Sequence, residues 1–131
     1  IENPETGEDR NIYAYDRVSG RVEPICIGPA DDAEPAWSPS DANLLAFSRA
    51  EGRHHQIWTV EISSDGKPRE QQLTRYGGEN PVWIPDGSAI LYENNGQLWL
   101  ISKDGSENRP VLVKGKILLG HEPYVIPSPL P

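Results

Sequence analysis

The chain is 131 residues long and carries 12 Lys and Arg against 20 Asp and Glu, a formal charge of −8. Its basic residues are scattered singly, so no concentrated cationic face exists for phosphates, and nucleic acid is excluded as an expected partner. The length suits one domain. No run approaches the ~18 consecutive apolar residues of a spanning helix, so the chain is read as not membrane-spanning.

Apolar residues make up 36% of the chain, and 12 Gly and 13 Pro are spread through it. That much Gly and Pro cuts a chain into short pieces joined by tight turns, which predicts an all-β protein. In chain order, residues 1–27 read as a partial first blade, with strand-like Ile12-Tyr13, a Ser19-Gly20 turn and a closing Ile25. Cys26, the only cysteine, sits in "PICIG" and reads as a small buried hydrophobe, since nothing local would activate its thiol. The chain has no Met, even at position 1. The expectation is that a segment ahead of Ile1 was removed, either a processed signal sequence or an upstream region.

Residues 34–74 form a second expected blade, "EPAWSP", "LLAFS" and "QIWTVEISSDG", and residues 80–113 a third, "NPVWIPDGSAILYENNGQLWLISKDG" and "RPVLV". The landmarks recur in register. Pro35-Ala36-Trp37-Ser38-Pro39 matches Pro81-Val82-Trp83-Ile84-Pro85, and Pro123-Tyr124-Val125-Ile126-Pro127 repeats the frame. Ile57-Trp58 matches Leu98-Trp99, with Ile12-Tyr13 in the same slot. A spacing of 46 and then 42 residues between these frames lies in the range of propellers and solenoids. Within a unit the segments are short, β-branched or aromatic, and bounded by Asp86-Gly87, Asn95-Gly96 and Asp104-Gly105, which supply hairpin turns. Leu98, Trp99, Leu100 and Ile101 run on without alternating, so the strand must be covered on both faces. Radially stacked sheets provide that cover. Trp37, Trp58, Trp83 and Trp99 are then expected to be blade core.

"EPAWSPSDANLLAF" with "QIWTVE", and "NPVWIPDGSAILY" with "QLWLISKDG", resemble the WD40-like propeller repeat of the TolB type. Its signature is Pro-x-Trp-Ser-Pro-Asp-Gly, an Ile-x-Phe strand and an Ile-Trp strand. The resemblance covers 34–113 well and the flanks partially. Ser40-Asp41-Ala42-Asn43 replaces Asp-Gly, Ile84 stands where Ser is usual, and Val125 takes the Trp place in the last frame. The resemblance implies a non-enzymatic, extracytoplasmic interaction scaffold, periplasmic in a bacterial envelope, whose protein partner is an envelope lipoprotein. The α/β domain that precedes a TolB propeller is not in this sequence. The alternative is the propeller part of an enzyme of the prolyl-oligopeptidase or oligogalacturonate-lyase kind.

About three four-stranded blades are expected, with 122–131 as a lone strand and Pro-rich tail. Three blades cannot close a ring, because propellers close with roughly four to eight. Two resolutions stand: missing parent sequence, or a homodimer forming a six-bladed ring. In the dimer, the strand around Tyr124 to Ile126 of one chain completes the blade of Tyr13 and Tyr15 in the other.

Function is expected on the loops at one end, 28–34, 49–56, 75–80, 93–97 and 114–122. They hold Asp31, Asp32, Glu34, Arg53, His54, His55, Arg75, Tyr76 and His121, read as a protein-binding face. No metal or cofactor is expected. Adjacent His54 and His55 point to opposite sides of an extended chain, and the loop from Asp104 to Asn108 lacks the carboxylate ladder of a calcium site. No Gly-x-Ser-x-Gly elbow or recognisable Ser, His and Asp set supports catalysis.

Overall fold

The structure, a computed structural model, describes residues 10–112. Within them ten strands form three antiparallel sheets, each a meander in sequence order. The first sheet pairs β1 (Ile12–Tyr15) with β2 (Val22–Cys26). The second holds β3 (Asp32–Trp37), β4 (Leu44–Glu51), β5 (His54–Ile62) and β6 (Pro68–Gln72). The third holds β7 (Glu79–Trp83), β8 (Ala89–Asn94), β9 (Gln97–Ser102) and β10 (Asn108–Pro110). The lone strand and tail expected over 122–131 lie outside the described residues.

Turn chemistry sets the hairpins. Asn95 and Gly96 both take positive φ, 51° and 79°, the combination a two-residue hairpin requires and that Asn-Gly adopts at least cost. Gly52 at φ 62° begins an equally tight turn between β4 and β5. The 49–56 stretch is therefore not a loop. Pairing continues through Arg49 with Gln56, Ala50 with His55 and Glu51 with His54, leaving only Gly52 and Arg53 at the tip. A two-residue turn needs no more chain, and every added pair satisfies backbone groups that water would otherwise have to serve.

The second sheet is buried on both faces. Leu45, Phe47 and Val60 pack with Trp58 against Ile12, Ile25 and Cys26 of the first sheet. On the opposite face Ala46 and Ile57 pack with Ala36 and Leu44 against Trp83, Ile90, Tyr92 and Ile101 of the third. Phe47, Ala46 and Ile57 are fully buried. At about 1.5–3 kcal/mol for each large side chain removed from water, these two layers supply the main driving force for stacking. Inner strands meet as well: β7 contacts β3, and the Trp83 indole N–H donates to the Ala36 carbonyl at 2.8 Å.

The inner strands share a kink. Register shifts lie between Ala33 and Ala36 in β3 and between Glu79 and Val82 in β7. Glu34 (φ 56°) and Asn80 (φ 55°), 46 positions apart, take the left-handed conformation inside them. The Glu34 carboxylate accepts from the Ser48 hydroxyl at 2.7 Å and from the Asn80 backbone N–H at 3.0 Å, tying one kink to the next. Strain of this kind persists only where neighbours over-determine it.

One Trp departs from expectation. Trp83 is 8% exposed, whereas Trp37, at the same position in the preceding sheet, is 47% exposed. The two described strands of the first sheet cover the β4 and β5 side chains of the second sheet and leave the β3 end open. An inner-strand aromatic is core only where an inner strand faces it.

Candidate functional site

Four connections meet at one end of the stacked sheets, and backbone hydrogen bonds hold them as one rim. The Ala50 N–H donates to the Asp31 carbonyl at 2.9 Å, and the Gly78 N–H to the His55 carbonyl at 2.8 Å. The Asn94 amide donates to the Tyr76 carbonyl at 3.1 Å, which joins the 75–80 connection to the β8–β9 hairpin.

Buried Gln56 organises the middle of this rim. Its Oε1 accepts from the Thr74 hydroxyl at 2.6 Å and from the Gly77 N–H at 3.0 Å, while Thr74 Oγ1 in turn accepts from the Ile57 N–H at 2.9 Å. Gly78 lies flat beneath the next sheet, where an added Cβ would come within 2.8 Å of Ile57 and 3.0 Å of Tyr92. Residues 74–78 are therefore pinned from below. Tyr76 nonetheless stands 91% exposed above them. Arg75 lies beside it, its guanidinium donating to the Gln72 and Thr74 carbonyls at 3.1 and 3.2 Å.

The residues singled out from sequence divide into two groups. Arg53 and His54 are exposed at the β4–β5 tip, His55 is half-buried on β5, and Arg75 and Tyr76 are exposed. These five share the rim. Asp31 borders them, but Arg10 occupies it through the guanidinium at 2.8 and 2.9 Å and through its backbone N–H at 2.9 Å. The Arg10 side-chain hydrogen bond, helped by the one from its backbone N–H, holds the Asp31 carboxyl below the usual range.

Asp32 and Glu34 serve the framework. Asp32 is 2% exposed and forms a two-pronged pair with Arg49 at 2.7 and 3.0 Å. Arg49 also reaches Glu70 at 3.0 and 3.1 Å and lies over the Trp58 ring at 4.5 Å. Burial pushes the Asp32 carboxyl up despite this pairing, while the Arg49 hydrogen bond holds Glu70 low. Cys26 packs beside this cluster, its thiol pushed up to about 12 chiefly by burial. Glu34 is committed to the inner-strand kink. His121 lies outside the described residues.

Sequence reasoning missed Gln56, Thr74 and Asn94, the side chains that fix the rim. For Gln56 the available signal was a polar residue just before the apolar run of β5, because a buried amide persists only where it is hydrogen-bonded; Thr74 and Asn94, outside a strand and at a strand end, gave none. Among the described residues, no group of three or more His, Cys, Asp or Glu is placed to hold a metal ion. A rim of exposed Arg, His and Tyr on pinned backbone offers cationic and aromatic contact to another molecule.

No protein-family model matches the chain. Among solved structures, one described as a TolB from Agrobacterium tumefaciens is similar, with a TM-score of 0.63 at 23% identity over 76% of this chain. The match spans 40% of that protein's length. By its three stacked antiparallel sheets and by this likeness, the chain has a TolB-like fold, a partial β-propeller.

Proposed function

We propose that the chain is a non-catalytic protein-interaction scaffold that works outside the cytoplasm, and that Arg53, His54, His55, Arg75 and Tyr76 form its binding face. The partner proposed is a protein of the cell envelope, a lipoprotein in the reading that the repeat resemblance supports. One observation carries this reading: Tyr76 is held almost wholly in solvent by backbone that Gln56, Asn94 and His55 lock in place. Tyr and Arg are enriched among the residues that anchor protein interfaces, and here a projecting Tyr stands beside an Arg on rigid backbone. Pre-ordering the loop also lowers the entropy lost on association.

The test uses extracytoplasmic extract from the source cell, photo-crosslinked to the full chain through a benzoylphenylalanine at position 76. The captured partner is then purified and titrated against wild type, Arg53→Ala and Tyr76→Ala. Each substitution should weaken binding about 10- to 30-fold, the range for losing an anchor residue. Both side chains are exposed, so the fold should be unaffected, as circular dichroism would verify. Unchanged affinity in both variants would remove this face from the reading.

A further inference from the structure

The two ends of the stack present unlike faces, and the register says what each is built to meet. Trp37 pairs with Leu45 and Trp83 with Ile90, so the second and third sheets superpose position by position. Val82, Leu91, Leu98 and Leu100 on the third sheet then correspond to Ala36, Ala46, Ile57 and Thr59 on the second. On the second sheet that face is covered by the third, with Ala46 and Ile57 at 0% and Thr59 at 4% exposed. On the third sheet the same face has no cover among the described residues. Val82 is 57% exposed, and Leu91, Leu98 and Leu100 are only half-buried. It is also the more apolar of the two, with three Leu and a Val where the covered face has two Ala, Ile and Thr. A face destined for water would be expected to drift the other way.

The opposite end carries the counterpart. Ile12 occupies the slot of Ile57 and Leu98 and points into the stack, where it is buried against the second sheet. Tyr13 and Tyr15 alternate to the outside, in the slots of Trp58 and Val60, the side chains with which the second sheet meets the sheet before it. Val22, paired with Tyr15, points the same way. Tyr13 is 39% and Tyr15 65% exposed. One end thus shows the leading face of a blade and the other end the trailing face, the same two classes of surface that mate at both internal junctions.

We propose that these faces mate between two copies of the chain, with the Tyr13 and Tyr15 face of each docking on the Val82, Leu91, Leu98 and Leu100 face of the other. The contact is head-to-tail, so two of them close a ring if the rotation per sheet is uniform. Two chains bring six sheets, within the four to eight that propellers accept. The partner is another copy because the complementary face is already present on this chain in the required orientation. This differs from completing a sheet by strand exchange: here the sheets stack face to face. It uses none of the rim residues and stands or falls separately from the binding-face proposal.

Sedimentation equilibrium of the full chain from about 1 to 100 µM tests it. The expected result is a two-chain mass. Tyr15→Glu and Val82→Glu, placed at opposite ends on exposed side chains, should each raise the dissociation constant at least about 30-fold, the cost of a lost interface anchor. Mixing the two variants should restore a heterodimer through the one junction that remains intact, which a symmetric patch-to-itself contact would not do. Tyr76→Ala should leave the dimer unchanged. A single-chain mass throughout, a dimer that survives both Glu substitutions, growth beyond two chains, or failure of the mixture to associate would each overturn the proposal. Retained strand signal in the far-ultraviolet circular dichroism of each variant shows that loss of mass is not loss of fold.

Discussion

Replacing Arg49 with alanine is expected to destabilise the chain by about 3–5 kcal/mol, the range for removing one partner of a buried ion pair. Arg49 holds Asp32 on β3 and Glu70 on β6 from β4, and its guanidinium lies over Trp58 of β5, so one side chain spans all four strands of the second sheet. Without it, the Asp32 carboxylate stays almost fully buried with no counter-ion. Domains of this size have only about 5–15 kcal/mol in total, so a large part of the folded population is at stake. Urea unfolding followed by Trp fluorescence measures the change. A loss under about 1 kcal/mol would mean that water already solvates the cluster. Asp32→Leu combined with Arg49→Leu should recover much of the loss, because an apolar pair leaves no fully buried charge behind, and the Glu70 carboxylate that remains is one-third exposed to water.

The pH dependence of that variant has a definite sign. Burial already raises the Asp32 carboxyl above its ordinary value of 3.8, and losing Arg49 raises it further. A carboxyl whose folded pKa exceeds its unfolded pKa penalises folding at pH above the folded value, where it is charged in both states. The penalty disappears as pH falls through the folded pKa toward 3.8, since the folded state takes up its proton first. The deficit of Arg49→Ala relative to wild type should therefore shrink as the solution is acidified through that window. A deficit that stays constant or widens there would show that Asp32 is not the unpaired charge.

Tyr92→Ala is the second large effect, about 3–5 kcal/mol by the cost of emptying a buried aromatic site. The ring is 2% exposed, stacks near Trp99 with centroids 6.5 Å apart, and lies over the Gly78 backbone at the junction of the second and third sheets. Its hydroxyl donates to the Asn108 side chain at 2.7 Å, which draws short β10 onto the sheet. Tyr92→Phe separates the two contributions and should cost about 1 kcal/mol, the net worth of one hydrogen bond. The alanine variant should unfold in two steps, the third sheet first, because the layer it shares with the second sheet is breached. A single sharp transition with unchanged slope would instead place the cooperative unit across all three sheets.

Much of the fold was legible because propeller repeats are local. The alternation of Asp-Gly or Asn-Gly turns with short apolar runs specifies hairpins through φ preferences and side-chain period alone. The doubly apolar β9 called for cover on both faces, of which the second sheet supplies one among the described residues. The Trp frame marked the inner strands, with Trp37 in β3 and Trp83 in β7. Less was legible at the rim. Arg53, His54, Arg75 and Tyr76 could be assigned to one end from loop order. Nothing local in "GPADDAE" distinguishes Asp31, bound by Arg10 at the edge, from Asp32, buried beneath Arg49 one residue later. Alternation in the strand sends the two carboxylates to opposite sides, and which side is dry depends on a neighbour 17 residues away.

The same division holds for the molecule as a whole. Turn positions, strand order within each sheet and the apolar character of both sheet faces follow from the residues themselves, since they depend on backbone conformation and on contacts between sequence neighbours. Tertiary packing decided that Trp37 is open while Trp83 is closed, that Gln56 locks the loop beneath Tyr76, and that, among the described residues, Tyr15 at one end of the stack and Val82 at the other stand exposed. Each of these depends on what lies across a gap between sheets, and burial is a property of the pair of surfaces that meet there.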